Sequence, residues 1–218
     1  MPTLKAAIFD YAGVISEHQS DADWQRLVST AGAPADAFKL AYWDLRPPYD
    51  RGHDDGPSYW AKVATALHRD FSEDLTRQLM EFDTRSWIRM NDAMVAFLAQ
   101  VQASQMKTAI LSNMGMELMR HVVDAFPWVQ RFDFQSFSCA LGCAKPEAAI
   151  FHHCLRGLDV SPEEAVFIDD RMENIHAAEA VGLRGVHFTS AQALFTRIET
   201  DADLAPLRTC VSAGRGLL

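Results

Sequence analysis

Apolar residues fall along this chain in two recurring patterns. Short unbroken runs at Ala6–Phe9, Thr108–Leu111, Ala165–Ile168 and Gly185–Phe188 predict strands buried on both faces, as in a parallel sheet. Phe132–Phe137 predicts a weaker fifth strand. Between the later runs, apolar positions recur at helical spacing. Leu118, Val122 and Ala125 share one face of Glu117–Phe126, and Ile150, Cys154 and Leu158 share one face of Pro146–Leu158. Ile175, Ala178 and Val181 form another such face, and Gly182 stands where that helix would stop. Strand and helix alternate, so the second half predicts an α/β fold with a parallel sheet.

The first half breaks the rhythm. A βαβ unit takes about 30 residues, yet about a hundred separate the first apolar run from the second. The intervening segment predicts helices rather than strands. Trp24, Leu27, Val28 and Ala31 follow helical spacing, with Ser20 and Asp23 placed as a cap. Trp60, Val63, Ala64 and Leu67 repeat the pattern behind Pro57, and Leu75, Leu79 and Phe82 give a third face. Met94, Phe97, Leu98 and Val101, opened by Asn91, return the chain to the sheet. Arg46–Pro57 reads as the least regular stretch, and the tail Arg208–Leu218 as irregular and frayed.

Composition narrows the function classes. Hydrophobic residues are 49% and charged residues 22% of 218, which excludes a mainly disordered chain. The net charge of −9 disfavours nucleic-acid binding, which needs a basic surface. No apolar stretch reaches the roughly 20 residues of a membrane span, and Asp10 interrupts the N-terminal run too early for a signal peptide. Cys139, Cys143, Cys154 and Cys210 contain no CxxC pair and read as reduced thiols. The expectation is a soluble, cytoplasmic protein. The eight histidines form no metal-binding motif, and no glycine-rich nucleotide loop is present.

The candidate chemistry lies where the strands end. Asp10 follows the first strand, Ser112 and Asn113 the second, and Asp169 and Asp170 the fourth, while Lys145 precedes the helix after the third. Open α/β sheets bind ligands at this edge. Carboxylates from two strand ends suit a hard divalent cation such as Mg²⁺, and a lysine beside a hydroxyl suits a phosphoryl group.

The segments AIFDYAGVI, ILSNMG, CAKPEAAIF and VFIDDRMENIHAAEAVG resemble, in order, the four motifs of the haloacid dehalogenase-like hydrolase superfamily. The likeness spans roughly residues 4–190, and the KPE and IDDRMENIHAAEAVG segments are its most specific parts. The resemblance implies a Rossmann-like core from residues 1–15 and 91–205, a helical cap from 16–90 and a tail from 206–218. It implies that Asp10 is a nucleophile forming an aspartyl-phosphate on a small phosphomonoester. Ser112 and Asn113 would hold substrate, and Lys145 would neutralise both Asp10 and the phosphoryl group. Asp10, Asp169, Asp170 and the Ala12 backbone carbonyl would hold Mg²⁺, with Asn174 supporting that loop.

One position departs from the family pattern. Phosphatases of this family commonly carry a second Asp two residues after the nucleophile, which protonates the leaving alcohol. Ala12 occupies it here and cannot do so. A subgroup of capped phosphatases, including glucose-1-phosphate-type enzymes, also lacks this Asp, so a sugar phosphate is the expected substrate. His18, then His53, are the candidate substitutes for the missing acid. Two alternatives stay open: a phospho-ligand-binding relative with little turnover, and a metal-independent 2-haloacid dehalogenase. Paired carboxylates without a cation repel each other, which counts against the latter. Within the cap segment, Arg46 and Tyr49 are expected to face the site and contact substrate.

Overall fold

In the computed structural model, which describes residues 3–218, the five apolar runs form one parallel sheet. Its strands are β1 (Ala6–Phe9), β2 (Lys107–Ser112), β3 (Phe134–Phe137), β4 (Ala165–Asp169) and β5 (Arg184–His187), in the order β3–β2–β1–β4–β5. The chain steps from β1 through β2 to β3, then returns to the other side of β1 with β4. That reversal places a crevice at the carboxyl ends of β1 and β4. Phe9 pairs with Ile168, and the Asp10 amide donates to the Ile168 carbonyl at 2.9 Å. Asp10 and Asp169 therefore leave the sheet side by side.

Between β1 and β2 run α1 (Asp21–Ala31), α2 (Ala35–Asp44), α3 (Arg46–Asp50), α4 (Gly56–Ala66), α5 (Glu73–Ser86) and α6 (Asp92–Ala103). Ser20 caps α1 in a reciprocal box with Asp23, and the Asn91 side chain caps α6. Two helices fall where the apolar spacing predicts none. α2 follows Pro34, and α3 accommodates Pro47 in its first turn, where a missing amide loses no helical bond. Leu27, Phe38, Tyr42, Tyr59, Trp60, Val63 and Leu79 bury a cluster of their own, separate from the two against the sheet. The outgoing and returning chains are tied where Ser16 and Met90 form an antiparallel bridge, flanked by Glu17 N–H to Arg89 O at 2.8 Å and Asn91 N–H to Ile15 O at 2.9 Å.

After β2 come α7 (Met116–Ala125), α8 (Ser138–Leu141), α9 (Ala148–Leu158), α10 (Met172–Val181), α11 (Ala191–Thr200) and α12 (Val211–Arg215). Side chains alternate along the strands and divide the core in two. Ala7, Phe9, Ile110 and Ile168 bury against α6 and α11, where Phe97 stands 6.2 Å from Phe9 and 5.3 Å from Phe195. Ala6, Ile8, Leu111 and Phe167 bury against α9 and α10 through Ile150, Phe151 and Ile175.

The tail is not frayed. A 3-10 helix over Ala202–Cys210 and then α12 bury Leu204, Leu207, Cys210 and Val211 in the Phe97–Phe195 layer. Its apolar positions are spaced for a 3-10 turn and interrupted by Pro206, so they show no α-helical period. All four cysteines are free, and among the described residues no helix is long and apolar enough to cross a membrane. Leu207, 1% exposed, reports on this layer, and Leu207→Ala is expected to lower unfolding free energy by about 2–4 kcal/mol in urea titration. A change below about 0.5 kcal/mol would return the tail to a frayed state.

Candidate active site

The loop after β1 carries Asp10 with its carboxylate fixed. Its Oδ1 accepts from the Tyr11 amide at 2.7 Å and from the Lys145 ammonium at 2.8 Å. Gly13 turns the loop back with φ of +78°, and a Cβ there would come within 2.7 Å of both Asp170 Oδ2 and the His18 ring. Only glycine combines that dihedral with so close an approach. Asp169, at the end of β4, is fully buried and bonded on both oxygens. Oδ1 accepts from the Arg171 amide at 2.8 Å, Oδ2 accepts from Lys145 at 2.7 Å, and the Asn174 amide reaches both oxygens at 3.0 and 3.1 Å.

Lys145 lies between the two carboxylates, 4% exposed. Its backbone is clamped by Asn113: the Asn113 amide donates to the Lys145 carbonyl at 2.8 Å, and the Lys145 N–H donates to Asn113 Oδ1 at 2.9 Å. Asn113 lines the cavity, and these bonds also give it a positioning task that the sequence does not announce. Ser112 Oγ is buried and has no hydrogen-bond partner among the described residues. A buried hydroxyl left unpaired is costly, and Ser112, unlike Asn113, does not line the cavity.

The charges do not balance. Oxygens of Asp10, Asp169 and Asp170 all lie within 4.8 Å of one another, and Lys145 supplies one positive charge among them. Burial pushes the Asp10 carboxyl up to about 7 against the pull of Lys145, with Asp169 and Asp170 adding to the rise. Burial and Asp169 likewise raise Asp170. Burial works against an ionised Asp169 too, but Lys145, the Arg171 amide and Asn174 outweigh it and hold that carboxyl below its ordinary value. Burial opposes the charge on Lys145, and the two carboxylates outweigh it and raise the ammonium. Three carboxylate donors with one cation form a set deficient in positive charge, and all-oxygen donors fit a hard divalent ion. His18 Nε2 stands 3.1 Å from Asp170 Oδ2.

A cavity of about 450 Å³ opens above these groups. Asp10, Ala12, Asn113, Lys145 and Asp170 form its floor, with His18 and Arg171 beside them. The segment between β1 and β2, together with Leu118 of α7, supplies the other wall. Arg46 lines that wall but is committed inward. Its Nε donates to Asp50 at 3.0 Å, its Nη1 to Asp83 Oδ2 at 3.0 Å and to the Tyr42 hydroxyl, and it is 5% exposed. Tyr49 departs from its expected place and is not on the wall. It stacks on Tyr59 with centroids 4.7 Å apart and donates to Glu117 Oε2 at 2.7 Å. Its ring docks over Gly115, where a Cβ would meet Tyr49 Cζ at 2.2 Å. His53 is exposed and also absent from the wall.

The sequence reading misses the residues that shape the wall. Trp24, Trp87 and Leu118 line it, although helical spacing assigns Trp24 and Leu118 to buried faces. Gln19 and Asp50 join them without any motif. An aromatic at a helix face is ordinarily core, so periodicity alone carries no sign of a cavity on its far side.

A family model described as haloacid dehalogenase-like hydrolase matches residues 4–182. The sesquiterpene phosphatase astK of Aspergillus oryzae is 25% identical over 193 residues, covering 88% of this chain and 93% of that protein. Drimenol cyclase drtB of Aspergillus calidoustus is 23% identical over 85% of this chain, which spans about a third (34%) of that longer protein. Among solved structures, a HAD family enzyme from Bacteroides thetaiotaomicron, in complex with magnesium and inorganic phosphate, superposes with a TM-score of 0.67 at 18% identity. That match covers 84% of this chain and 93% of the other. L-2-haloacid dehalogenase from Xanthobacter autotrophicus superposes with a TM-score of 0.63 at 18% identity, covering 95% and 87%. At such identities the structural likeness is one of fold.

The buried pairing of Arg46 with Asp83 sets its expected behaviour. Arg46→Ala leaves Asp83, 3% exposed, without its cation and should lower stability by about 3 kcal/mol or more, read as the urea midpoint. An unchanged midpoint would show that the pair does not hold the inserted helices together.

Proposed function

The chain belongs to the haloacid dehalogenase-like hydrolases, and we propose that within this family it hydrolyses small phosphomonoesters with Mg²⁺. The observation that carries this reading is the cluster of Asp10, Asp169 and Asp170, with the buried Lys145 paired to the first two, at the floor of a cavity. Asp10, Asp169, Asp170 and the Ala12 carbonyl would hold the ion. Bound there, Mg²⁺ would offset the excess negative charge and draw electron density from a phosphoryl oxygen. The relative named as a phosphatase and the fold neighbour solved with magnesium and phosphate support the same assignment.

Each protein group has a task in this scheme. An Asp10 oxygen attacks phosphorus, the ester P–O bond breaks, and the leaving oxygen takes up one proton. Water then attacks phosphorus, the Asp10–phosphorus bond breaks, and phosphate departs with the carboxylate restored. Lys145 stabilises negative charge on the transferring oxygens, Ser112 donates to one of them, and Asn113 holds Lys145 and faces the substrate. Ala12 has no proton to give, and His18, beside Asp170 on the cavity wall, takes that role. A dehalogenase would have no use for a third clustered carboxylate, which favours the phosphatase.

Hydrolysis of p-nitrophenyl phosphate with Mg²⁺ tests the assignment. Chelation by EDTA should abolish turnover reversibly, and Asp10→Asn should cost at least about 10³-fold in kcat. Phosphate binding without turnover would instead indicate a binding protein, and metal-free halide release from a 2-haloacid would indicate a dehalogenase.

The leaving group tests His18 separately. His18→Ala should lower kcat/KM for an alkyl phosphate by about 10²-fold or more, while p-nitrophenyl phosphate, whose leaving group needs little proton help, loses less than about tenfold. Equal losses on both substrates would remove His18 from the acid role.

A further inference from the structure

The wall opposite the carboxylates carries information about the alcohol half of the substrate. Trp24, Trp43 and Trp87 line it together with Leu118. The three indoles form a connected series, with Trp24–Trp43 centroids 6.1 Å apart and Trp43–Trp87 centroids 6.3 Å apart in an edge-to-face arrangement. Tyr42 braces the series from behind, 5.0 Å from Trp24 and 4.9 Å from Trp43. Ring-on-ring packing holds these indoles in place, and large aromatic surfaces supply binding with little entropy loss.

The polar groups of the same wall are engaged with one another. Arg46 is taken by Asp83 and Asp50. The Gln19 amide nitrogen donates to Ser86 Oγ at 2.7 Å and to the Tyr42 hydroxyl at 3.3 Å, and the Trp87 indole N–H donates to that hydroxyl at 3.4 Å. Gln19 Oε1 lacks a partner among the described residues and is shielded from solvent, and one Asp50 oxygen is taken by Arg46, so the wall offers few free polar groups where a polyol needs many partners. A sugar hydroxyl buried without a partner is penalised, whereas an apolar group gains by leaving water. Trp43 is 40% exposed and Leu40, one helical turn before it on α2, is 64% exposed, so the apolar character continues outward.

We propose that the phosphomonoester this cavity takes is that of an apolar, hydrocarbon or aromatic alcohol rather than of a sugar. The proposal rests on the hydrolytic reading above and replaces the glucose-1-phosphate-type substrate that the motif resemblance implies. Phosphate occupies the floor, and the hydrocarbon lies against Trp24, Trp43 and Leu118 in a volume of about 450 Å³, within the usual range for small-molecule sites.

The test compares 1-naphthyl phosphate and octyl phosphate with glucose 1-phosphate in the Mg²⁺-loaded protein. The expected kcat/KM favours both apolar esters by at least about tenfold, and in Trp43→Ala the KM for 1-naphthyl phosphate rises about tenfold while that for acetyl phosphate rises far less. Trp43→Phe should recover most of the loss, and it carries the test where the alanine variant fails to fold. Preference for glucose 1-phosphate, or equal losses on all esters in the Trp43 variants, overturns the proposal while leaving the phosphatase assignment intact. Absence of turnover on every ester, including p-nitrophenyl phosphate, counts against the phosphatase assignment. In that case quenching of tryptophan fluorescence decides, with tighter binding of 1-naphthyl phosphate than of glucose 1-phosphate supporting the apolar wall and the reverse order refuting it.

Discussion

A single buried ammonium, shared by Asp10 at 2.8 Å and Asp169 at 2.7 Å, is the constraint on which the site depends. Burying a lysine is unfavourable unless opposite charge meets it, and burying two carboxylates is unfavourable for the same reason. Each makes the others tolerable. The arrangement in turn demands that β1 and β4 be neighbours, that their ends be level, and that the Lys145 side chain be held within reach of both. Parallel pairing in register meets the first two demands, and the Asn113 clamp on the Lys145 peptide meets the third. One lysine still cannot balance three carboxylates, so the polypeptide is built short of positive charge at the place where a phosphoryl group would arrive.

The inserted helices solve a similar problem by different means. Arg46 is buried among the faces of Tyr42, Tyr49 and Tyr59, at 4.9, 5.1 and 5.8 Å, and is paired with Asp50 and Asp83. Its charge is consumed inside the helical layer, which frees the outer faces of the indoles to be apolar. The two halves of the cavity are thus opposite in character: a charged floor at the strand ends and an aromatic wall facing it.

Much of the floor was legible in the sequence because strands buried on both faces leave unbroken apolar runs, and the residues that follow such runs fall at one edge of the sheet. Asp10, Asn113 and Asp170, which line the cavity, follow such runs, as do the fully buried Ser112 and Asp169, and Ser20, Asn91 and Gly182 mark helix ends as their chemistry predicts. The wall was not legible in the same manner. Whether Arg46 or Tyr49 faces a ligand depends on what packs behind it, and Asp83, Glu117 and Gly115 come from distant parts of the chain. The tail escaped for a local reason, since 3-10 turns around Pro206 carry no α-helical period. α2 escaped because Ala35–Asp44 mixes exposed Leu40 with buried Phe38 and Tyr42, which blurs its buried stripe.

The helical layer has a hydrophobic cluster of its own, distinct from the two that hold the sheet. Trp24 and Tyr42 pack against and within that cluster, while Phe9 and Ile168, which precede Asp10 and Asp169, belong to another. Descent with modification can therefore act on the two halves at different rates. A laboratory library confined to the cavity-lining positions Trp24 and Trp43 would leave the buried Arg46–Asp83 pair and the lysine with its carboxylates unaltered while it explored ligand preference.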